Sequence, residues 1–145
     1  MKKIFPYLTY AGAIPFIVCA MCLYVGIQEL PLLGSVEKIL SIYGLVISSF
    51  LAGAHWGQHL SMNEGQWSRW LPILSNAVAI ILWIGFLVLS FKMQMALFIG
   101  AFVVLWMIDY RIFQADVITR HYFQTRLFVT IIVIISLVIA YMSAN

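Results

Sequence analysis

Residues 39–63 carry no charged side chain, and their centre reads Ser41-Ile42-Tyr43-Gly44-Leu45-Val46-Ile47-Ser48-Ser49-Phe50-Leu51-Ala52-Gly53-Ala54-His55-Trp56-Gly57-Gln58-His59. Such a run is longer than the roughly 20 residues an α-helix needs to cross hydrocarbon. Backbone groups in lipid must be paired internally, so spans are helices or closed barrels. The run shows no strict alternation, which excludes a barrel strand. Its polar residues follow a helical period instead. At 100° per residue, Ser41, Ser48, Ala52, His55 and His59 fall within about 40° of one line. Ser49, Gly53 and Gly57 recur every four residues on another face. Small residues at that spacing let a neighbouring backbone come close. The helix is therefore expected at the centre of a bundle, packed on one face and polar on the other.

The rest of the chain repeats the long uncharged run. Charges are costly in hydrocarbon, so the gaps between them mark spans. The further gaps are residues 4–28, 70–91, 93–108 and 127–145. Only 93–108 is short, and Lys92 can snorkel outward while Asp109 closes the last turn. The reading is five transmembrane helices, about 7–27, 38–60, 70–90, 93–112 and 124–143: an all-α, polytopic bundle forming a single domain over residues 1–145. Composition agrees. Of 145 residues, 64% are hydrophobic and 9% charged, and the mean hydropathy is +1.04. A soluble domain is about half apolar and a quarter charged, so a water-soluble globule, a disordered chain and a nucleic-acid-binding module are all excluded.

The net charge of +3 reads as topology. Lys2, Lys3, Arg69, Arg111, Arg120 and Arg126 fall on one side, and Lys38 and Lys92 on the other. Basic residues collect on the cytoplasmic side, so the N-terminus is expected inside and the C-terminus outside. Tyr7, Tyr10, Trp67, Trp70, Tyr110 and Tyr122 fall near the inner boundary, where aromatic residues anchor. Lys2 and Lys3 before an apolar run resemble a signal peptide, but no small-residue cleavage site follows, so the first segment reads as a retained helix. Helix five, Leu127–Ala140, is mostly Ile, Val and Leu. It is expected to face lipid over much of its circumference and to carry no chemistry.

The run Tyr43-Gly44-x-Val46-Ile47-x-Ser49-Phe50-Leu51-x-Gly53-x-His55-Trp56-Gly57 resembles the signature of the small membrane proteins related to transmembrane protein sixty-nine. That family is found in proteobacteria and mitochondria and is described as a domain of unknown function. The resemblance implies a bacterial inner (cytoplasmic) membrane location and implies no activity, substrate or cofactor.

Candidate site residues therefore rest on chemistry. His55 and His59, four apart, lean the same way and could share a metal ion. The catalytic glutamate of the zinc-protease helix is missing, since Trp56, Gly57 and Gln58 lie between them. Asp109 or His121 could add a third ligand, and His55 with His121 could flank a haem. A satisfied structural histidine is the plainer reading of His55. Asp109-Tyr110-Arg111 closes helix four, and Asp109 could accept a hydrogen bond from His55 or His59. Asn76 is expected at similar depth on helix three. The ligand-binding candidates are thus His55, Trp56, His59, Asn76, Asp109, Arg111 and Ser48; Ser49, Gly53 and Gly57 are the packing candidates. Cys19 and Cys22 sit mid-helix, where thiols usually pack as small apolar groups.

Two function classes follow. One is a non-catalytic accessory or assembly factor in a larger membrane complex or homo-oligomer. The other is an ion, proton or small-ligand handler, for a metal, haem or quinone, using the polar site on the cytoplasmic half of helix two. No cofactor is required by the sequence, and no catalytic residue is indicated.

Overall fold

The computed structural model describes residues 5–59, 66–114 and 119–143, without the side chains of residues 5, 6, 56–59, 66–69 and 71. In chain order the elements are α1 (Phe5–Tyr24), β1 (Glu29–Leu30), β2 (Gly34–Ser35), α2 (Val36–His59), α3 (Gln66–Val88), α4 (Phe91–Gln114) and α5 (Arg120–Ser143). Four of the helices, α1, α2, α4 and α5, are long and apolar enough to cross a membrane. The apolar part of α3, Pro72–Val88, is shorter. The protein is thus a membrane-embedded helical bundle. The span expected to be shortest, α4, is 24 residues long because the helix runs past Asp109 and Arg111 to Gln114.

Local signals set the helix ends. α1 stops at Gly26, whose φ of 91° suits a residue without a side chain. The amide of Gly26 donates to Leu23 O and that of Ile27 to Cys22 O, closing the last turn. The short antiparallel pair β1–β2 then reverses the chain, an element not expected from the sequence. Ser35 Oγ accepts from the Lys38 amide at 3.4 Å, and Glu37 lies in the first turn of α2. Thr119 Oγ1 likewise accepts from the Tyr122 amide at 3.1 Å and starts α5. The Gln94 side chain donates to Phe86 O and Leu89 O, satisfying carbonyls that the end of α3 leaves open. Pro15 lies inside α1 without interrupting the helix.

The helices α1, α2, α4 and α5 form a ring in which each packs on the next and α5 closes back on α1. α3 lies outside the ring, against α2 and α4. Phe16 of α1 and Phe102 of α4 meet edge to face across the middle, 5.8 Å between centroids. Met95, Phe98 and Leu137 continue this core toward the hairpin end. Lys92 of α4 sits over the Tyr141 ring of α5 at that same end, 4.7 Å from its centroid. Large apolar side chains such as Ile80, Ile81, Trp83 and Leu87 of α3 are exposed. In water such a surface would drive association, whereas in lipid it costs nothing.

Two expectations about faces are revised. α5, expected to face lipid over much of its circumference, keeps an outward face at Phe128, Ile131, Ile135 and Met142, but 44% of its span is buried, against 28–33% for the other three. It closes the ring between α1 and α4, so Thr125, Arg126, Val129, Thr130, Val133 and Leu137 all turn inward. The proposed packing face of α2 points outward. Ser49 and Gly53 are exposed, and a Cβ built on Gly53 meets no atom within 4 Å. The close approach is made by Gly44 instead, where a Cβ would stand 3.0 Å from the Phe98 ring. Gly57 is in α2, but its surroundings lie outside the described residues.

Candidate functional site

The polar line along α2 faces the interior. Ser41, Ser48, Ala52 and His55 are all buried. His55 points at α4, on the same side as Gly44. Its Nε2–H donates to Asp109 Oδ1 at 2.8 Å, and the two side chains are 2% and 0% exposed. A carboxylate can only accept, so this contact sets the imidazole tautomer and leaves Nδ1 as the other ring atom. Nδ1 is buried and has no hydrogen-bond partner among the described residues.

Asp109 has a second partner. Arg126 Nε donates to Oδ2 at 3.1 Å from α5. Arg126 Nη2 lies at 3.1 Å from the same oxygen, an ion-pair contact outside hydrogen-bond geometry. One carboxylate thus joins α2, α4 and α5, three consecutive members of the ring. With neutral His55 the three groups carry no net charge, which is how a buried ionic cluster limits its desolvation cost. An aromatic cluster fastens the same junction. Phe123 of α5 stacks on Phe113 of α4 at 4.8 Å, and Trp106 and Tyr110 complete the group. Such pairs contribute about 0.5–1.5 kcal/mol beyond burial.

A cavity of about 330 Å³ adjoins the cluster, at the small end of the roughly 300–1,000 Å³ of ligand pockets. Leu8, Thr9, Gly12 and Phe16 of α1 line one wall, and Ile47, Phe50, Leu51 and Ala54 of α2 another. α5 contributes Tyr122, Arg126, Val129, Thr130 and Val133, and α4 contributes Phe102. Leu8 and Phe50 are 67% and 70% exposed, so the mouth opens on the lipid-facing surface. Arg126 and Thr130 are one turn apart on one face of α5. Thr130 is 4% exposed, and its Oγ1 has no hydrogen-bond partner among the described residues.

The sequence candidates divide as follows. His55 and Asp109 come together, and Ser48 is buried on the same stripe, its Oγ without a hydrogen-bond partner among the described residues. Asn76 does not join them. It is exposed, and its neighbour Ser75 occupies the inward position of α3 instead. Helix periodicity explains the miss, since adjacent residues are 100° apart. Arg111 is exposed on the opposite side of α4 from the cluster, two residues beyond Asp109. The side chains of Trp56 and His59 lie outside the described residues. His121 is exposed at the start of α5. Among the described residues, no three His, Cys, Asp or Glu side chains are placed to hold a metal.

Arg126 and Thr130 were not foreseen. Arg126 counts as an inner-side topology charge, although the expected span 124–143 already places it in the first turn of helix five. The available signal was Thr119, a capping residue that starts the helix at Arg120 and puts Arg126 in its second turn. Removing Arg126 from the charge count leaves five basic residues against two, so the asymmetry keeps its sign. No curated protein and no solved structure matches the chain. A family model does, over residues 1–142, and the chain belongs to the family described as "Protein of unknown function (DUF3429)".

Proposed function

We propose that this is a multi-pass protein of the bacterial inner membrane, N-terminus inside, which binds a small ligand at the cytoplasmic end of α2. One observation carries the reading. A polar cluster buried across three helices borders a cavity that opens to lipid, and Arg126 belongs to both. A purely structural bundle has no need of buried ionic groups, which are costly and mark functional sites in membranes. Pockets that are mostly apolar with a few convergent polar groups are the usual form of a small-molecule site. The positive-inside asymmetry supports the orientation, and the run Tyr43–Gly57 supports kinship with the proteins related to transmembrane protein sixty-nine.

The test is extraction of the purified protein followed by mass spectrometry. Wild type is expected to retain one small apolar compound near stoichiometry. Ala54→Phe, which fills the cavity from α2, is expected to lose it while still folding. A wild-type extract with bulk lipid alone, identical to that of Ala54→Phe, would sink the reading. The accessory-factor reading keeps one supporting observation, the outward face of Ser49 and Gly53, which could admit a second helix. Cysteine crosslinking at Ser49 in native membranes tests it.

A further inference from the structure

The hairpin between α1 and α2 ends in a turn that its sequence does not favour. The Leu33 amide donates to Leu30 O at 3.3 Å, so Pro31 and Leu32 are the central residues of the turn. Pro31 takes the first central place, where its fixed φ suits the turn. Leu32 takes the second with a φ of 69°, a place where glycine or asparagine is favoured because a Cβ is crowded there. Among the described residues it is the only non-glycine with positive φ. Inward packing does not account for it: Leu32 is 106% exposed, and Leu33 beside it 68%. Two leucines are thus presented outward at a conformational cost that glycine would avoid.

The reach of the chain decides what meets them. The hairpin joins two helices able to cross a membrane, the first ending at Tyr24 and the second starting at Val36, so its foot stands at the membrane boundary. The Val36 amide donates to Gln28 O at 2.8 Å and closes that foot, and Leu30 packs against the bundle core. Leu32 is two residues from Leu30, at most about 7 Å at 3.3–3.6 Å per residue. The headgroup layer is roughly 5–8 Å deep on each face of a bilayer. The tip is therefore held within the depth of that layer. Residues 31–34 carry no charge, and Val25 and Ile27 are exposed apolar residues near the foot. Protein partners are held at their rims by polar groups, which the tip does not offer. An uncharged apolar point at headgroup depth has the chemistry of an interfacial anchor, whose apolar side chains lodge at the boundary of headgroups and acyl chains.

We propose that residues 31–34 form a membrane anchor, in which Leu32 and Leu33 insert among the lipids of the leaflet at the hairpin end. The anchor sets the depth of α1 and α2 and is independent of what the cavity binds.

The purified full chain is reconstituted alone into phosphatidylcholine vesicles. Leu32→Cys, Lys38→Cys and Ile84→Cys, each with Cys19→Ala and Cys22→Ala, are labelled with one fluorophore. Lys38 is a charged, exposed residue in the first turn of α2, and Ile84 an exposed apolar residue of α3. Quenching is measured with aqueous iodide and with lipids carrying a nitroxide near the headgroup. The label at Leu32 should resemble that at Ile84, with lipid quenching at least about threefold stronger and iodide quenching at least about threefold weaker than at Lys38. Iodide quenching equal to that at Lys38, without lipid quenching, would put the tip in water, open to a protein partner, and overturn the proposal.

A label could enter lipid by itself, so a second variant reads the leucine. Leu32→Asn tolerates positive φ and removes the apolar side chain. A label at Leu33→Cys should become at least about twofold more open to iodide when Leu32→Asn is added. No change would mean that Leu32 does not hold the tip in lipid, and the anchor would fall. Should the cysteine-free background fail to fold, Leu32→Trp in the otherwise natural chain is read with brominated lipids. Quenching of the added emission supports the anchor, and its absence overturns it.

Discussion

At the hairpin end, α1, α4 and α5 meet through Leu23, Met95, Phe98 and Leu137, all apolar and buried. At the other end, α2, α4 and α5 meet through His55, Asp109 and Arg126, with a cavity alongside. The first contact depends on shape alone. Lipid tails are as apolar as leucine, so helix association in a membrane gains from close fit rather than from leaving water. The second is directional. It ties down the rotation of three helices about their axes, because the imidazole and the guanidinium must each meet one oxygen of one carboxylate. The site end thus sets a buried ionic cluster and a cavity beside its apolar and aromatic packing.

Removing the carboxylate should have the largest effect. Asp109→Leu leaves Arg126 and His55 buried without their common partner, and breaking a buried pair from one side costs about 3–5 kcal/mol. Unfolding in detergent should show this loss. The double variant Asp109→Leu with Arg126→Met should recover much of it, because no buried charge is then stranded. Near-neutral behaviour of Asp109→Leu would mean that water reaches this end and that the two ends do not differ as described.

Overpacking at the hairpin end comes next. Gly44→Leu drives a side chain into the Phe98 ring, where even a Cβ stands at 3.0 Å. The expected destabilisation is about 1–3 kcal/mol, read in the same unfolding assay. It should be additive with Asp109→Leu if the two ends are independent. Strong coupling between them would show a single cooperative interior.

A smaller effect is expected where the ring is pinned by one neutral hydrogen bond. Tyr43 Oη donates to Gly12 O at 2.7 Å, joining α2 to α1. Tyr43→Phe should cost about 1 kcal/mol or less, as single hydrogen bonds between membrane helices do. It should leave ligand retention intact. A loss of retention would show that the α1 wall of the cavity, which includes Gly12, is held in place by this bond.

The smallest effect belongs to Gly53→Leu. Nothing lies within 4 Å of a Cβ there, so stability should stay within about 0.5 kcal/mol of wild type. A large loss would reveal a neighbouring helix from another chain on that face.

Much of this protein follows from the sequence alone. The uncharged runs are long because each must bury its own backbone groups in lipid, and that requirement made the helices and their order legible. The inward turn of Ser41, Ser48 and His55 was legible too, since a polar line on an apolar helix has only the bundle to face. Shared depth offered both Asp109 and Asn76 as partners for His55 or His59, and the structure pairs His55 with Asp109. The roles of α5, Gly53, Asn76 and Arg126 were decided only in the tertiary structure. Hydropathy separates interior from surface because water is the reference, and in a bilayer the apolar interior and the apolar surroundings look alike. Leu127–Ala140 therefore reads the same whether it faces lipid or closes a ring. The rotation of one helix against another chose Gly44 over Gly53 and Ser75 over Asn76. The packing of α5 against α4 turned Arg126 from a topology charge into the third member of the buried cluster.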